Sequence, residues 1–256
     1  MRQNEVTKKV VYTALLIALT VAMRYALSIM LPFAGVSGMR ISPSVFFTKM
    51  PAVLFGPLYG AISSGIIDIV CLIVKPEGSF IPYLTLTAIL GGFICGFLWK
   101  NIENINKRSF KIVFGAVFSI IGVLGVVNTI AASFFKDSAY TLMLLSIGEK
   151  RYWFLSIGLI CASVFGIILL LTDYFVSKKD SDSLFIKLLC VLLIANIIVT
   201  TLNTFVLRIY FPALNSLSFM VFYIPRLVEE VIVTVLQAYI MAYLLKLLNK
   251  TKLIKL

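Results

Sequence analysis

Residues 39–61 read MRISPSVFFTKMPAVLFGPLYGA. Arg40 and Lys49 flank an apolar run that stops at Gly56-Pro57. Proline removes a backbone N–H and disfavours helix in the residue before it. The stretch 45–74 is therefore a short helix, a sharp reversal and a full helix, or else one kinked span. The choice between them fixes the topology of everything that follows.

Composition sets the solvent. The 256 residues are 61% hydrophobic and 13% charged, more apolar side chain than a water-soluble chain of this length can bury. Several windows reach the run of about 20 apolar residues that a spanning helix needs. The period-2 alternation of a membrane barrel is absent, which leaves helices to satisfy the backbone in lipid. The expected fold class is all-α, a polytopic membrane helix bundle forming a single membrane domain over 1–256. Apolar segments fall at roughly 10–31, 45–56, 57–74, 82–99, 110–135, 152–176, 184–206 and 219–248. The first has a basic start but no convincing small-residue cleavage site, so a retained helix is expected there rather than a cleaved signal.

Charge decides between the two readings of 45–74. With a reversal at Gly56-Pro57 there are about eight segments, and both termini lie on one side. That side then collects 14 of the 23 Lys and Arg, in the N-terminus, 100–111, 177–187 and the tail 246–255. The positive-inside rule makes that side cytoplasmic. The connections 32–44, 75–81, 136–151 and 207–218 then face outwards, and their cations break the trend.

The same clustering explains the net charge of +12 without nucleic acid. Cys71, Cys95, Cys161 and Cys190 lie singly in four apolar segments, as small buried hydrophobes do. Histidine is absent. That removes most hydrolytic and zinc chemistry, and no GxxxxGK[ST] loop is present to cradle a nucleotide phosphate. No enzyme activity, cofactor or metal is expected. A faint echo at an offset of 75 aligns Phe110, Asn128, Thr129 and Arg151 with Phe185, Asn203, Thr204 and Arg226.

Three constellations stand out. Ala14, Ala18, Ala22 and Ala26 share one face of the first helix, and small residues let helices approach closely in lipid. That stripe serves internal packing or an external partner helix. Asp68 sits eleven residues into the third segment, about 10 Å from the outer surface at 1.5 Å per residue. An ionisable group at that depth faces a salt-bridge partner or a watery cavity. Arg226 follows Pro225, four residues before Glu230, and can pair with it along one helix face.

With these in hand, ALLIALTVAMRYALSIMLPF and the stretch from Met39 to Phe97 resemble the substrate-binding (S) components of energy-coupling factor (ECF) transporters. Within these the resemblance is to the folate-family S components. It rests on Arg40-Ile41-Ser42, on Phe55 to Ala61, on Asp68, on Asn203-Thr204 and on Pro225-Arg226-Leu227. The resemblance implies a six-helix core over 1–105 and 184–256 that captures a vitamin from outside, with 106–183 an extra helix pair. It also implies a coupling transmembrane subunit and two ATPase subunits as partners, with Ala14 to Ala26 as the docking face. Glu229-Glu230 depart from the family, which tends to be basic after Pro-Arg-Leu.

On this reading Arg40, Lys49 and Arg226 converge as donors to an anionic, folate-like or pterin-like ligand at the outer face of the plasma membrane. Asp68 accepts from its ring, Asn203 and Thr204 add neutral hydrogen bonds, and Tyr83 and Tyr223, with Phe46, Phe47, Phe80 and Phe219, offer flat walls. The loops 32–44 and 75–81 would cover it. The alternative is an ion-coupled secondary transporter of a small organic anion, with Asp68 and Glu229 or Glu230 as proton or sodium groups.

Overall fold

Gly56 takes φ 97°, a backbone setting that side chains resist and glycine accepts freely. It separates a helix at Met50–Phe55 from one at Pro57–Val74 that opens on its proline. A further turn, Val45–Thr48, precedes them. The reversal is therefore real, and 45–74 is not one kinked span.

The computed structural model describes residues 2–33, 36–76, 79–102, 107–135, 141, 153, 156–161, 163–164, 166–168, 171, 184–212, 214 and 219–250. In chain order the elements are α1 (Arg2–Leu27), β1 (Ile29–Phe33), β2 (Val36–Ile41), α2 (Val45–Thr48), α3 (Met50–Phe55), α4 (Pro57–Val74) and α5 (Pro82–Asn101). They continue as α6 (Lys107–Phe134), α7 (Ser156–Ile168), α8 (Leu184–Tyr210) and α9 (Phe219–Lys250). Among the described residues, five helices are long and apolar enough to cross a membrane: 4–27, 57–74, 82–101, 184–210 and 222–249. Shorter apolar helices at Val45–Phe55, Phe118–Phe134 and Ser156–Ile168 account for the other three expected segments. The fold is an all-α membrane bundle.

One expectation needs correcting. The stretch 32–44 is not an open loop, and the first helix stops at Leu27, short of Leu31. The chain instead forms an antiparallel hairpin, pairing Ile29 with Ile41, Met30 with Arg40 and Leu31 with Met39, with a register shift between Leu31 and Pro32. Proline cannot donate to a ladder, so an irregularity at Pro32 is the expected accommodation. Lys75, just past α4, donates to Ser28 Oγ at 2.8 Å and Ser28 O at 3.3 Å, tying the end of α4 to the root of the hairpin.

Burial follows membrane logic. Leu58, Ile73 and Ile209 point outwards, more than two-thirds exposed, while Ser63, Thr204 and Thr234 are sealed inside. α4 packs on α5, α5 on α8 and α8 on α9. Small residues permit the closest contact. A methyl on Gly60 would come within 2.5 Å of Gly92 O, so α4 and α5 meet backbone to backbone there. Gly96 likewise faces the backbone of Pro57, 2.6 Å from where a methyl would sit. The apolar core lies deeper, where Leu188, Leu189 and Leu192 of α8 meet Val235, Met241 and Leu245 of α9, with Met50 and Ala52 of α3. Cys71, Cys95 and Cys190 are buried as expected, whereas Cys161 is exposed on the side of α7.

Candidate functional site

The hairpin marks one end of the bundle. α1 and α4 finish there, α5 begins there, and Tyr83 meets Tyr210 with ring centroids 6.1 Å apart, bringing the end of α8 to the same level. α9 starts beside them, because Phe219 stacks between Phe205 at 4.9 Å and Tyr223 at 5.2 Å. Aromatic and polar side chains then descend into the bundle from this end.

The upper layer joins neighbouring helices through hydroxyls. Thr85 on α5 donates to Asp68 Oδ2 on α4 at 2.7 Å. Thr87 donates to the side-chain oxygen of Asn203, bridging α5 and α8. Thr201 and Tyr223 share a hydrogen bond of 2.9 Å between α8 and α9. The guanidinium of Arg208 stands 5.7 Å from the Phe219 ring, and that of Arg226 stands 5.2 Å from the Phe222 ring. Arginine favours such aromatic faces because its delocalised charge is weakly hydrated.

A turn further in lies the charged layer, centred on Glu230. Its Oε2 accepts from Thr200 at 2.8 Å, and Oε1 lies 3.5 Å from the Thr234 hydroxyl. Asn196 donates to Thr234 Oγ1 at 2.9 Å and to Gln237 Oε1 at 3.1 Å. Gln237 in turn donates to the backbone carbonyl of Val45 at 2.6 Å, which fastens α2 to α9. Lys49, at the joint between α2 and α3, is only 8% exposed. Its ammonium lies against α5, since a methyl on Gly91 would sit 2.9 Å from Nζ. Lys49 and Arg226 both act electrostatically on Glu230, and Glu229 acts on Arg226. Two cations and two carboxylates thus share one region of the bundle interior. Charges at such depth are costly, and here each sign has the opposite one in the same region.

The expected site residues divide accordingly. Lys49 and Arg226 are brought together, from α2/α3 and from α9. Asp68, Asn203 and Tyr223 lie in the layer above, already hydrogen-bonded to threonines. Tyr83 is 56% exposed at the rim. Thr204 is buried and turns back to donate to Thr200 O at 2.6 Å. Arg40 has its backbone on β2 opposite Met30, and its side chain lies outside the described residues. Ala14, Ala18, Ala22 and Ala26 are all exposed. The first three line an open apolar groove between α1 and α4, with Ile66, Val70 and Val74 as its other wall.

Sequence reasoning missed the hub. Asn196, Thr200, Thr234 and Gln237 were not singled out, and Glu230 entered only as a neighbour of Arg226 or an ion-coupling group. The signal was present as spacing: Arg226, Glu230, Thr234 and Gln237 recur every three or four residues, one face of a helix. Asn196, Thr200 and Asn203 repeat the pattern on α8. Among the described residues no three His, Cys, Asp or Glu side chains gather to hold a metal ion.

Comparison with known proteins meets this geometry. The family model for the S component of ECF-type riboflavin transporters matches residues 4–171. The folate transporter FolT of Clostridium novyi (strain NT) is 30% identical over 98 residues, covering 38% of this chain and 54% of that protein. The chain thus spans about half the length of the curated relative it matches. No solved structure matches the chain. A polytopic bundle with no histidine and a match that runs through α1 to α7 lead to one conclusion: the chain belongs to the family of ECF-type riboflavin transporter S components, membrane-embedded substrate-binding subunits rather than enzymes.

Proposed function

We propose that this S component captures a vitamin with a pteridine-type ring, folate or a related anionic pterin, from the outer face of the cell membrane. The observation that carries the reading is the gathering of Lys49 and Arg226 around one region of the bundle interior, below the hairpin and below a layer of Asp68, Asn203 and Tyr223. Membrane anchoring would have sent both cations outwards to headgroups, each at its own helix end. The site comprises Arg40, Lys49, Asp68, Tyr83, Asn203, Thr204, Tyr223 and Arg226. The stack of Phe205, Phe219 and Tyr223 supplies flat apolar surface for a conjugated ring.

The ligand enters from the hairpin end, with both chain termini cytoplasmic. Uptake is driven by two ATPase subunits acting through a coupling transmembrane subunit, since this chain has no phosphate loop of its own. The exposed alanines of α1 and the apolar groove beside them are the surface that receives the coupling subunit. Riboflavin is the second reading, favoured by the family model. The ring systems of folate and riboflavin share a fused pteridine, so one scaffold suits both.

The test is direct binding of folic acid and of riboflavin to purified full-length protein, by tryptophan quenching or calorimetry. Folic acid is expected to bind more tightly, and Arg226→Ala is expected to weaken it. Failure of both vitamins to bind overturns the reading. So does uptake by the chain alone that collapses with the ion gradient, which would favour an ion-coupled transporter.

A further inference from the structure

The charged layer contains a side chain whose position packing does not account for. Lys49 is more than nine-tenths buried, and its ammonium is seen donating to no acceptor among the described residues. A desolvated ammonium carries three donors and is stable in such a place only if something accepts from them. Cys95 of α5 and, after it, Glu230 of α9 act on it electrostatically. The carboxylate itself is held from behind, by Thr200 at 2.8 Å and more loosely by Thr234 at 3.5 Å. A carboxylate has about four lone-pair sites, so two hydroxyls leave acceptor capacity unused. A held acceptor and an unbonded donor thus share one region, walled by α5 at Gly91 and by α8 at Thr200.

From this we infer that Glu230 and Lys49 read the pyrimidine edge of the ligand's ring, and that Glu230 selects a pterin over a flavin. The inference rests on the vitamin-capture reading above and deepens it. A pterin edge presents the ring N3–H and the 2-amino group side by side, two donors that a carboxylate accepts as a fork. The C4 carbonyl beside them accepts from an ammonium. A flavin edge has its single N3–H between two carbonyls, so a carboxylate brought to it gains one hydrogen bond and faces a second lone-pair oxygen. The Lys49 contact, by contrast, is the same for both rings, because both carry the carbonyl.

The depth order agrees with the shape of the ligand. Glu230 lies one helical turn further from the hairpin than Arg226, about 6 Å along the axis. A ring at Glu230 therefore directs its carboxylate-bearing tail back towards Arg226 and the hairpin, past the Phe219–Tyr223 stack.

The experiment measures folic acid and riboflavin affinities on purified full-length wild type, Glu230→Gln, Thr200→Val and Lys49→Met, with thermal unfolding run alongside. Glu230→Gln keeps an acceptor oxygen for Thr200 but replaces the forked acceptor with an amide. The ratio of folic acid to riboflavin affinity is expected to fall by about tenfold or more in this variant. Thr200→Val, which releases the carboxylate from its hold, is expected to shift the ratio in the same direction by less. Lys49→Met is expected to weaken both ligands alike. An unchanged ratio in Glu230→Gln, or an equal loss of both ligands, overturns the inference, as does a wild type that binds riboflavin and not folic acid. If wild type binds neither vitamin, the capture reading itself has failed.

Discussion

Thr200 on α8 donates its hydroxyl to Oε2 of Glu230 on α9 at 2.8 Å, inside a bundle that turns side chains such as Leu58, Ile73 and Ile209 outwards. The bond orients a carboxylate that has Lys49 and Arg226 as its counter-charges. Opposite charges buried in one region contribute little net stability compared with apolar residues of the same shape, but removing one of them is severe. The arrangement therefore looks expensive for packing and well suited to binding.

Removing Glu230 outright should expose that asymmetry. Glu230→Ala leaves the Lys49 ammonium desolvated and without its carboxylate, and the loss of stability is expected to be about 3–5 kcal/mol. The double variant Lys49→Met with Glu230→Leu should recover most of that loss, because both charges go together. Thermal unfolding in detergent checks the pair. Equal destabilisation of single and double variants would contradict the account of Lys49 and Glu230 as mutual counter-charges.

Helix packing gives a second expectation. Gly60 and Gly92 let α4 and α5 touch at backbone distance, and a methyl on Gly60 would lie 2.5 Å from both Gly92 O and Ala52 Cβ. Neither neighbour is the far end of a flexible side chain, so the helices themselves must separate. Gly60→Val is expected to cost about 1–3 kcal/mol through overpacking. The lowered unfolding midpoint should come with weaker vitamin binding, since the Thr85–Asp68 bridge depends on the same helix pair.

The network below supplies a third. Gln237 reaches across to the Val45 carbonyl at 2.6 Å and is the contact that fastens the start of α2 to α9. Interhelical hydrogen bonds in membranes are worth about 0.6 kcal/mol on average, because the lipid-embedded unfolded state also finds partners. Gln237→Leu should therefore leave global stability nearly unchanged while loosening the α2–α3 joint that carries Lys49. The expected readout is faster amide hydrogen exchange across residues 45–50, without a matching fall in unfolding temperature.

How much of this was legible beforehand depends on which physical rule each residue obeys. Hydropathy located all eight apolar segments, and Gly56-Pro57 announced its own reversal through proline chemistry. The hairpin was hidden because Pro32, Gly35 and Gly38 carry loop chemistry, and because Ile29 to Leu31 extends the apolar run of α1 without a break. The carboxylate near Lys49 was hidden for a different reason. Lys49 is expected among the converging donors, but the carboxylate that acts on it, Glu230, lies 181 residues later. Only the three-dimensional path of α9 reveals that pairing. The helical spacing of Arg226, Glu230, Thr234 and Gln237 was readable all along and went unused.

The stripe on α1 provides the last expectation. Ala14, Ala18 and Ala22 are exposed and line an apolar groove with Ile66, Val70 and Val74 of α4, on the outside of the bundle. Among the described residues, none of the hydrogen bonds at the proposed site involves α1, so this face and the proposed site are separable. Close helix approach in lipid depends on the absence of bulk, and a phenylalanine in the middle of the stripe fills the groove that a partner helix would enter. Ala18→Phe is therefore expected to leave vitamin affinity of the isolated subunit unchanged. The same variant should fail to co-purify with a coupling subunit and its ATPases, and should abolish ATP-driven uptake in vesicles. Because the alanine side chains point away from the core, the variant should unfold at the wild-type temperature, which separates loss of docking from loss of fold. Retained uptake in Ala18→Phe and Ala22→Phe together would move the docking surface elsewhere on the bundle.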